Sequence, residues 1–200
     1  MSTAIKYALC CAMSALPKAY QHATMPVVLP IPMTFWNVKN ELFDRAVCET
    51  DESVQQFLPY VTVVNEDNKI FTYSRGKGGA EARLHGQLSI GLGGHVDDVP
   101  EPGVSLKTWL SVEGERELRE EVGITALSPL EFKGFLRDPT TDVGRVHMGL
   151  YAIYTVTSDA LGEHEEGQIE EGAWLSLDEL RERETYARLE PWSKLVLSQL

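Results

Sequence analysis

Glu117, Glu120 and Glu121 stand at i, i+3 and i+4 within Arg116-Glu117-Leu118-Arg119-Glu120-Glu121-Val122-Gly123-Ile124. Positions three and four apart share one face of an α-helix, so the spacing predicts three converging carboxylates. At about 4 Å like charges repel by ~1 kcal/mol per pair in water, and by ~4 at an effective dielectric near 20. A multiply charged hard cation relieves that repulsion, and Mg²⁺ takes oxygen ligands. Leu118 and Val122 form an apolar stripe between the acids that docks the helix on a core. Gly123 supplies a left-handed residue to end it. The stretch reads as a metal-carrying helix with a defined stop. A solvated, charge-rich helix face is the ordinary alternative; the strand at 88–92 and the Gly93-Gly94 turn upstream argue against it.

The pattern Arg-Glu-apolar-X-Glu-Glu-X-Gly-apolar resembles the second half of the Nudix box. That box marks hydrolases acting on nucleoside diphosphates linked to another moiety, and all seven specified positions match between Arg116 and Ile124. The first half departs from the family. Counting back from Arg116, Thr108 stands where a glutamate belongs and Pro102 where a glycine belongs. Gly93-Gly94 lies eight residues too far upstream, so the loop carries an insertion. Asp97, Asp98 and Glu101 lie in that loop as acids that could replace the missing one. Residues 45–49, 55–60 and 83–95 resemble one subgroup of MutT-type phosphoesterases, and the similarity extends over about residues 45–200.

The resemblance implies an α/β/α sandwich with a mixed central sheet, and Mg²⁺ as cofactor with Mn²⁺ able to substitute. Carried over residue by residue, Glu120 and Glu121 match the principal metal ligands. Glu117 matches a position that binds a further metal or acts as base. Arg116 matches the arginine that holds the glutamates in place. Gly93 or Gly94 matches the turn whose carbonyl completes the metal shell. A further catalytic carboxylate is implied before the Trp174 strand, where Glu166 is the nearest local match and Glu170 and Glu171 compete. Arg75, Arg137 and Arg145 are candidate phosphate contacts, because guanidinium matches phosphate bidentately. His95, beside the bend, and His147 are further candidate substrate contacts, His95 to phosphate. His147 alternates with Val146, Met148 and Leu150, so its side chain faces the cleft side of its strand. For both histidines a structural role is the plainer alternative.

The implied activity is metal-dependent hydrolysis of a phosphoanhydride. A Nudix-fold binding or regulatory module with little turnover is the second reading; a pure binder has no need for three mutually repelling acids, which weighs against it. A third is the isomerase chemistry that this fold performs on isoprenoid diphosphates. It needs a cysteine in the cleft, and Cys48 precedes the first strand of the domain.

At 200 residues the chain suits one domain at 46–200, with residues 1–45 as an extension packing on it. The net charge of −12 argues against a nucleic-acid polymer as partner, leaving a small nucleotide or diphosphate. Three cysteines without metal-finger spacing read as free thiols in a reducing compartment, the cytoplasm. No run of eighteen apolar residues exists, so no membrane helix is expected. Homodimers are common in the resembled fold.

The remaining pattern places elements around the acidic helix. Residues 7–16 read as a short helix and 26–32 as an extended, proline-punctuated segment. Strands are expected at 61–64 and 70–73, joined by a hairpin at 65–68, and again at 130–136, 146–156 and 173–175. Ser105 caps a helix to Val122, with Trp109 and Leu110 on its core side. A polar turn is expected at 138–142, a Ser176-capped helix at 176–181, and a closing helix at 190–200.

Overall fold

A computed structural model of the chain describes residues 6–76, 86–125, 128–162 and 169–200, with Glu170 described by its backbone alone. The first elements are strand β1 (Tyr7–Ala12), helix α1 (Lys18–Gln21), and strands β2 (Val27–Leu29) and β3 (Asn40–Asp44). Helix α2 (Arg45–Cys48) leads into the long β4 (Val54–Val64), then β5 (Ile70–Arg75) and β6 (Leu88–Ser89). Helix α3 (Leu106–Val122) carries the acids. It is followed by β7 (Phe132–Arg137), α4 (Asp142–Val146), β8 (His147–Thr155) and β9 (Ile169–Leu175). Helices α5 (Leu177–Arg181), α6 (Arg183–Arg188) and α7 (Pro191–Leu197) come last.

The described strands join one mixed sheet along β2-β7-β8-β4-β1-β3, with β5 leaving β4 for β6 and β9. β4 and β8 are parallel from Gln56↔His147 to Val64↔Thr155, while β7 and β8, and β1 and β4, are antiparallel. Side chains alternate between the two faces, as the strand period of two requires. Phe57, Val61, Met148 and Leu150 pack on the side of Leu110, Leu118 and Val122 from α3. Tyr60, Leu136 and Tyr151 pack on the other side, against Trp192 and Val196 from α7. The result is the expected α/β/α sandwich.

Several local expectations change. Residues 7–12 form a strand, not part of a helix, because β1 is hydrogen-bonded on both edges, to β3 and β4. Leu9, Cys10 and Cys11 are buried on both of its faces. A short apolar run buried on both faces has no period that separates strand from helix. The 138–142 turn runs into α4, whose N-cap Thr141 accepts from the Gly144 amide. β9 starts at Ile169 rather than at residue 173, held by pairing with β5.

One gap in the sheet positions the site. β1 pairs with β4 only up to Gln56, and β5 pairs with it at Val64. Into the stretch between them comes the segment after β6. Val61 and Leu92 exchange both backbone hydrogen bonds, at 2.8 and 2.9 Å, and the Leu9 amide donates to the Val96 carbonyl at 2.7 Å. The glycine bend is thereby threaded against the middle of β4.

Candidate active site

Helix α3 begins where Ser105 Oγ accepts from the Thr108 amide at 3.1 Å. It ends at Gly123, with φ 68°, whose amide donates to the Arg119 carbonyl at 3.0 Å. Thr108, the position of the missing family glutamate, therefore sits in an exposed first turn, its hydroxyl 2.8 Å from Ser105 Oγ. Leu110, Leu118 and Val122 are buried against the sheet. Each such side chain contributes roughly 1.5–3 kcal/mol. Together they offset part of the repulsion of the acids.

That docking turns Glu113, Glu117 and Glu121, at successive steps of four, into a buried row. Glu120 lies beside the row with its side chain 47% exposed. Arg116 gathers them: its Nε lies 3.1 Å from Glu113 Oε2 and its Nη1 2.6 Å from Glu120 Oε2. Its Nη2 lies 2.7 Å from Glu117 Oε1 and also donates to the His95 carbonyl at 3.3 Å. The role expected for Arg116, holding the glutamates, is what its contacts allow.

The bend meets the same carboxylates. A Cβ on Gly94 would stand 2.4 Å from Glu117 Oε1, and one on Gly93 only 1.9 Å from the Pro59 carbonyl oxygen. Only glycine lets the backbone come so near. Burial pushes the Glu117 carboxyl above its usual range, against the pull of Arg116. Burial, and then the neighbouring Glu117 charge, push Glu121 up to about 8, although Arg75 and the Gly93 amide act the other way. Glu121 Oε2 is buried with no hydrogen-bond partner among the described residues. An orphaned buried acceptor costs ~1–3 kcal/mol. Oxygen-only donors, crowded like charges and an unsatisfied oxygen together fit a hard divalent cation.

A cavity of about 1150 Å³ opens over this face. Arg116, Glu117, Glu120 and Glu121 line it, together with Gly93 and Gly94. Arg75, His95 and His147 line it as well, and Asp97 is the one of the three loop acids that does. Two expected phosphate contacts are elsewhere. Arg137 is buried, donating from Nη1 to the Gly144 carbonyl at 2.7 Å and stacked over the Tyr20 ring at 5.1 Å. It braces α4, because β7 turns its side chain inward. Arg145 lies outside the cavity lining, with Nε 3.0 Å from Glu52 Oε1 and Nη2 on Asp142. Glu166 lies outside the described residues. Glu171 is an exposed residue of β9 at φ 52°, away from this cavity.

Other residues serve the site without having been singled out for it. Glu113 could have been found, standing three residues before Arg116 and four before Glu117. Glu190 accepts from Tyr60 Oη and Ser89 Oγ, each at 2.8 Å, and lines the cavity floor. Tyr73 Oη donates to the Gly91 carbonyl at 2.9 Å, with Ser89 Oγ also 2.9 Å from that oxygen, which holds the strand entering the bend. Arg45, the first residue of α2, also lines the cavity. Cys48 does not; it is buried, with its sulfur 3.6 Å from Cys10.

No protein-family model matches the chain. Protein YmaB of Bacillus subtilis is 35% identical over 158 residues, which covers 78% of this chain and 76% of YmaB. The candidate Nudix hydrolase Tm1382 aligns in structure at a TM-score of 0.73 and 25% identity, over 97% of both chains. The chain belongs to the Nudix family. It is a Nudix hydrolase, related to YmaB, whose box loop is lengthened between Gly94 and α3. The NUDIX domain of Shewanella oneidensis NrtR, solved with ADP ribose, shares the Nudix fold at a TM-score of 0.52 and 12% identity. That likeness covers 72% of this chain and 85% of that domain. No described helix is long and apolar enough to cross a membrane.

Proposed function

We propose that this Nudix hydrolase cleaves, with a divalent metal, the phosphoanhydride of a nucleoside diphosphate linked to another moiety. The observation that carries the reading is the buried Glu117–Glu121 pair, one oxygen of it unpartnered, pressed against the glycine bend inside a large cavity. Mg²⁺ suits the all-oxygen donor set of Glu117, Glu120, Glu121 and a bend carbonyl, with Mn²⁺ as substitute. Bound there, it would supply charge neutralisation on the diphosphate and a more acidic coordinated water.

The chain's own groups do the rest. Arg116 fixes the carboxylates relative to one another and to the bend. Glu117, its basicity raised by burial, is placed to take a proton from an attacking water. Arg75, Arg45 and Arg188 line the cavity and can receive phosphate oxygens. The volume of about 1150 Å³ exceeds the 300–1,000 Å³ usual for drug-sized ligands, which favours a two-part substrate over a mononucleotide. The ADP ribose held by the NrtR domain is a ligand of that kind. Three buried thiols suit a cytoplasmic setting.

The test is a phosphate-release screen over ADP ribose, dinucleoside polyphosphates and nucleotide sugars with Mg²⁺ and Mn²⁺, run beside Glu121→Gln. Turnover by the parent and a loss on the order of 10³-fold in the variant are expected, since several kcal/mol of charge stabilisation disappear. Turnover that survives both chelator and the substitution would overturn the reading.

A further inference from the structure

At the edge of the cavity, which His95 and His147 line, three side chains that the Nudix box does not include come together. Glu49 follows α2, His95 follows the glycine bend, and His147 opens β8. His95 Nε2 and His147 Nε2 are 3.0 Å apart, and Glu49 Oε1 is 3.6 Å from the first and 3.7 Å from the second. Three points with those separations lie on a circle of radius about 2.0 Å, the length of a bond from zinc to an imidazole nitrogen or a carboxylate oxygen. The three atoms form a group able to hold one ion.

The hydrogen-bond chemistry points the same way. His147 Nδ1 lies 2.8 Å from the Val143 carbonyl, which can only accept, so that nitrogen carries the hydrogen. Nε2 of the neutral ring is then a lone pair aimed at His95 and Glu49. Metal-ligating histidines are oriented in this manner by the bond from their other nitrogen. Without an ion, one hydrogen on His95 Nε2 faces two acceptors, and those acceptors face each other at 3.7 Å. A cation that takes the place of this hydrogen, which leaves Nε2 for Nδ1 or for solvent, satisfies all three atoms at once. Arg45 Nε, 3.4 Å from Glu49 Oε1, does not preclude this, because a carboxylate offers about four lone-pair sites.

We propose that Glu49, His95 and His147 form a second metal site, selective for a borderline transition ion such as Zn²⁺ over Mg²⁺. Imidazole donors suit zinc and its neighbours, whereas Mg²⁺ prefers oxygen. His95 and His147 line the cavity, so a three-ligand ion there keeps open positions for water or a phosphate oxygen. The site is independent of the α3 carboxylates in donor type. Arg116 ties it to them, holding the His95 carbonyl and Glu117 with the same nitrogen.

The experiment titrates Co²⁺, a spectroscopic stand-in for Zn²⁺, into chelator-stripped full-length protein under saturating Mg²⁺, reading visible absorption. One equivalent should bind with the intense bands of a low-coordinate, nitrogen-ligated ion. His147→Ala and Glu49→Gln should each weaken binding by at least about a hundredfold, because losing even an outer-shell partner costs 10–100-fold. Glu121→Gln should leave the Co²⁺ spectrum in place. His147 is buried, so Glu49→Gln, altering a partly exposed side chain, decides if the histidine variant does not fold. Absence of the bands, or bands weakened by Glu121→Gln and not by Glu49→Gln, would overturn the proposal.

Discussion

Glu117 and Glu121 of the carboxylate row and the two imidazoles, His95 and His147, line one cavity, yet the two groups are assembled by opposite means. Glu113, Glu117 and Glu121 come from one helix, and their convergence follows from its period alone. His95 and His147 are 52 residues apart, and only the β4–β8 pairing and the threaded bend bring them within 3.0 Å. The row gathers like charges and leaves an oxygen unpartnered, so it is set up for a hard ion. The cluster offers imidazole nitrogen, with the Val143 carbonyl fixing which nitrogen of His147 carries the hydrogen, so it is set up for a softer ion. A helix can present charge cheaply because the sequence is local; mixed donor types need tertiary structure.

The largest effect that sharpens this contrast lies within the row. Glu117 faces the bend and Glu113 does not line the cavity, though both hold Arg116. Steady-state kinetics should show Glu117→Gln lowering kcat by ~10²–10⁴-fold, the range for a lost general base or metal ligand. Glu113→Gln, acting only through Arg116, should lower it by about tenfold. Equal losses would mean that the row is a scaffold with no division of labour.

Metal-free stability comes next. Glu121 has a folded pKa near 8 against 4.5 for an unperturbed glutamate, so the folded state keeps a proton that the unfolded chain has released. The stability that this proton contributes is present below 4.5 and is lost as pH rises through about 8. His147, depressed to about 4, acts in reverse and loses stability as pH falls below 6.5. Comparing the parent with Glu121→Gln isolates the acid. In chelator, denaturant unfolding should show the variant gaining on the parent between about pH 5 and pH 8, by a few kcal/mol. A gap independent of pH would place Glu121 in a wetter setting than its burial implies.

Gly93→Ala tests the bend. Its Cβ would meet the Pro59 carbonyl oxygen, which is backbone and cannot swing away. A loss of ~1–3 kcal/mol is expected in thermal or urea unfolding, with the carboxylates displaced as well. The smallest effects separate two arginines. Arg137→Ala should cost ~1–3 kcal/mol by orphaning the Gly144 carbonyl, while Arg145→Ala, exposed at the rim of α4, should cost under about 1. Activity insensitive to Arg145→Ala would agree with its place outside the cavity.

These contrasts explain what could be read in advance. Ser105 and Gly123 bounded α3 correctly because caps act within a few residues. The mixed sheet followed from alternating strands around one helix. Arg137 looked like Arg75 in the chain, both being arginines at strand ends. Only the direction in which each strand faces separates the brace from the cavity wall. β1 read as helix because its neighbours β3 and β4, which bury both its faces, lie far along the chain. Glu49 carried no spacing signal toward either histidine, and its role appears only once α2 is seated beside the bend.

The most direct test of the central claim is Mn²⁺ anomalous diffraction from crystals soaked with the ion and a non-hydrolysable ADP-ribose analogue. A peak is expected between Glu117, Glu121 and the carbonyls of residues 93–94, next to the analogue's diphosphate. Clear density for the analogue with no manganese at those carboxylates would contradict it.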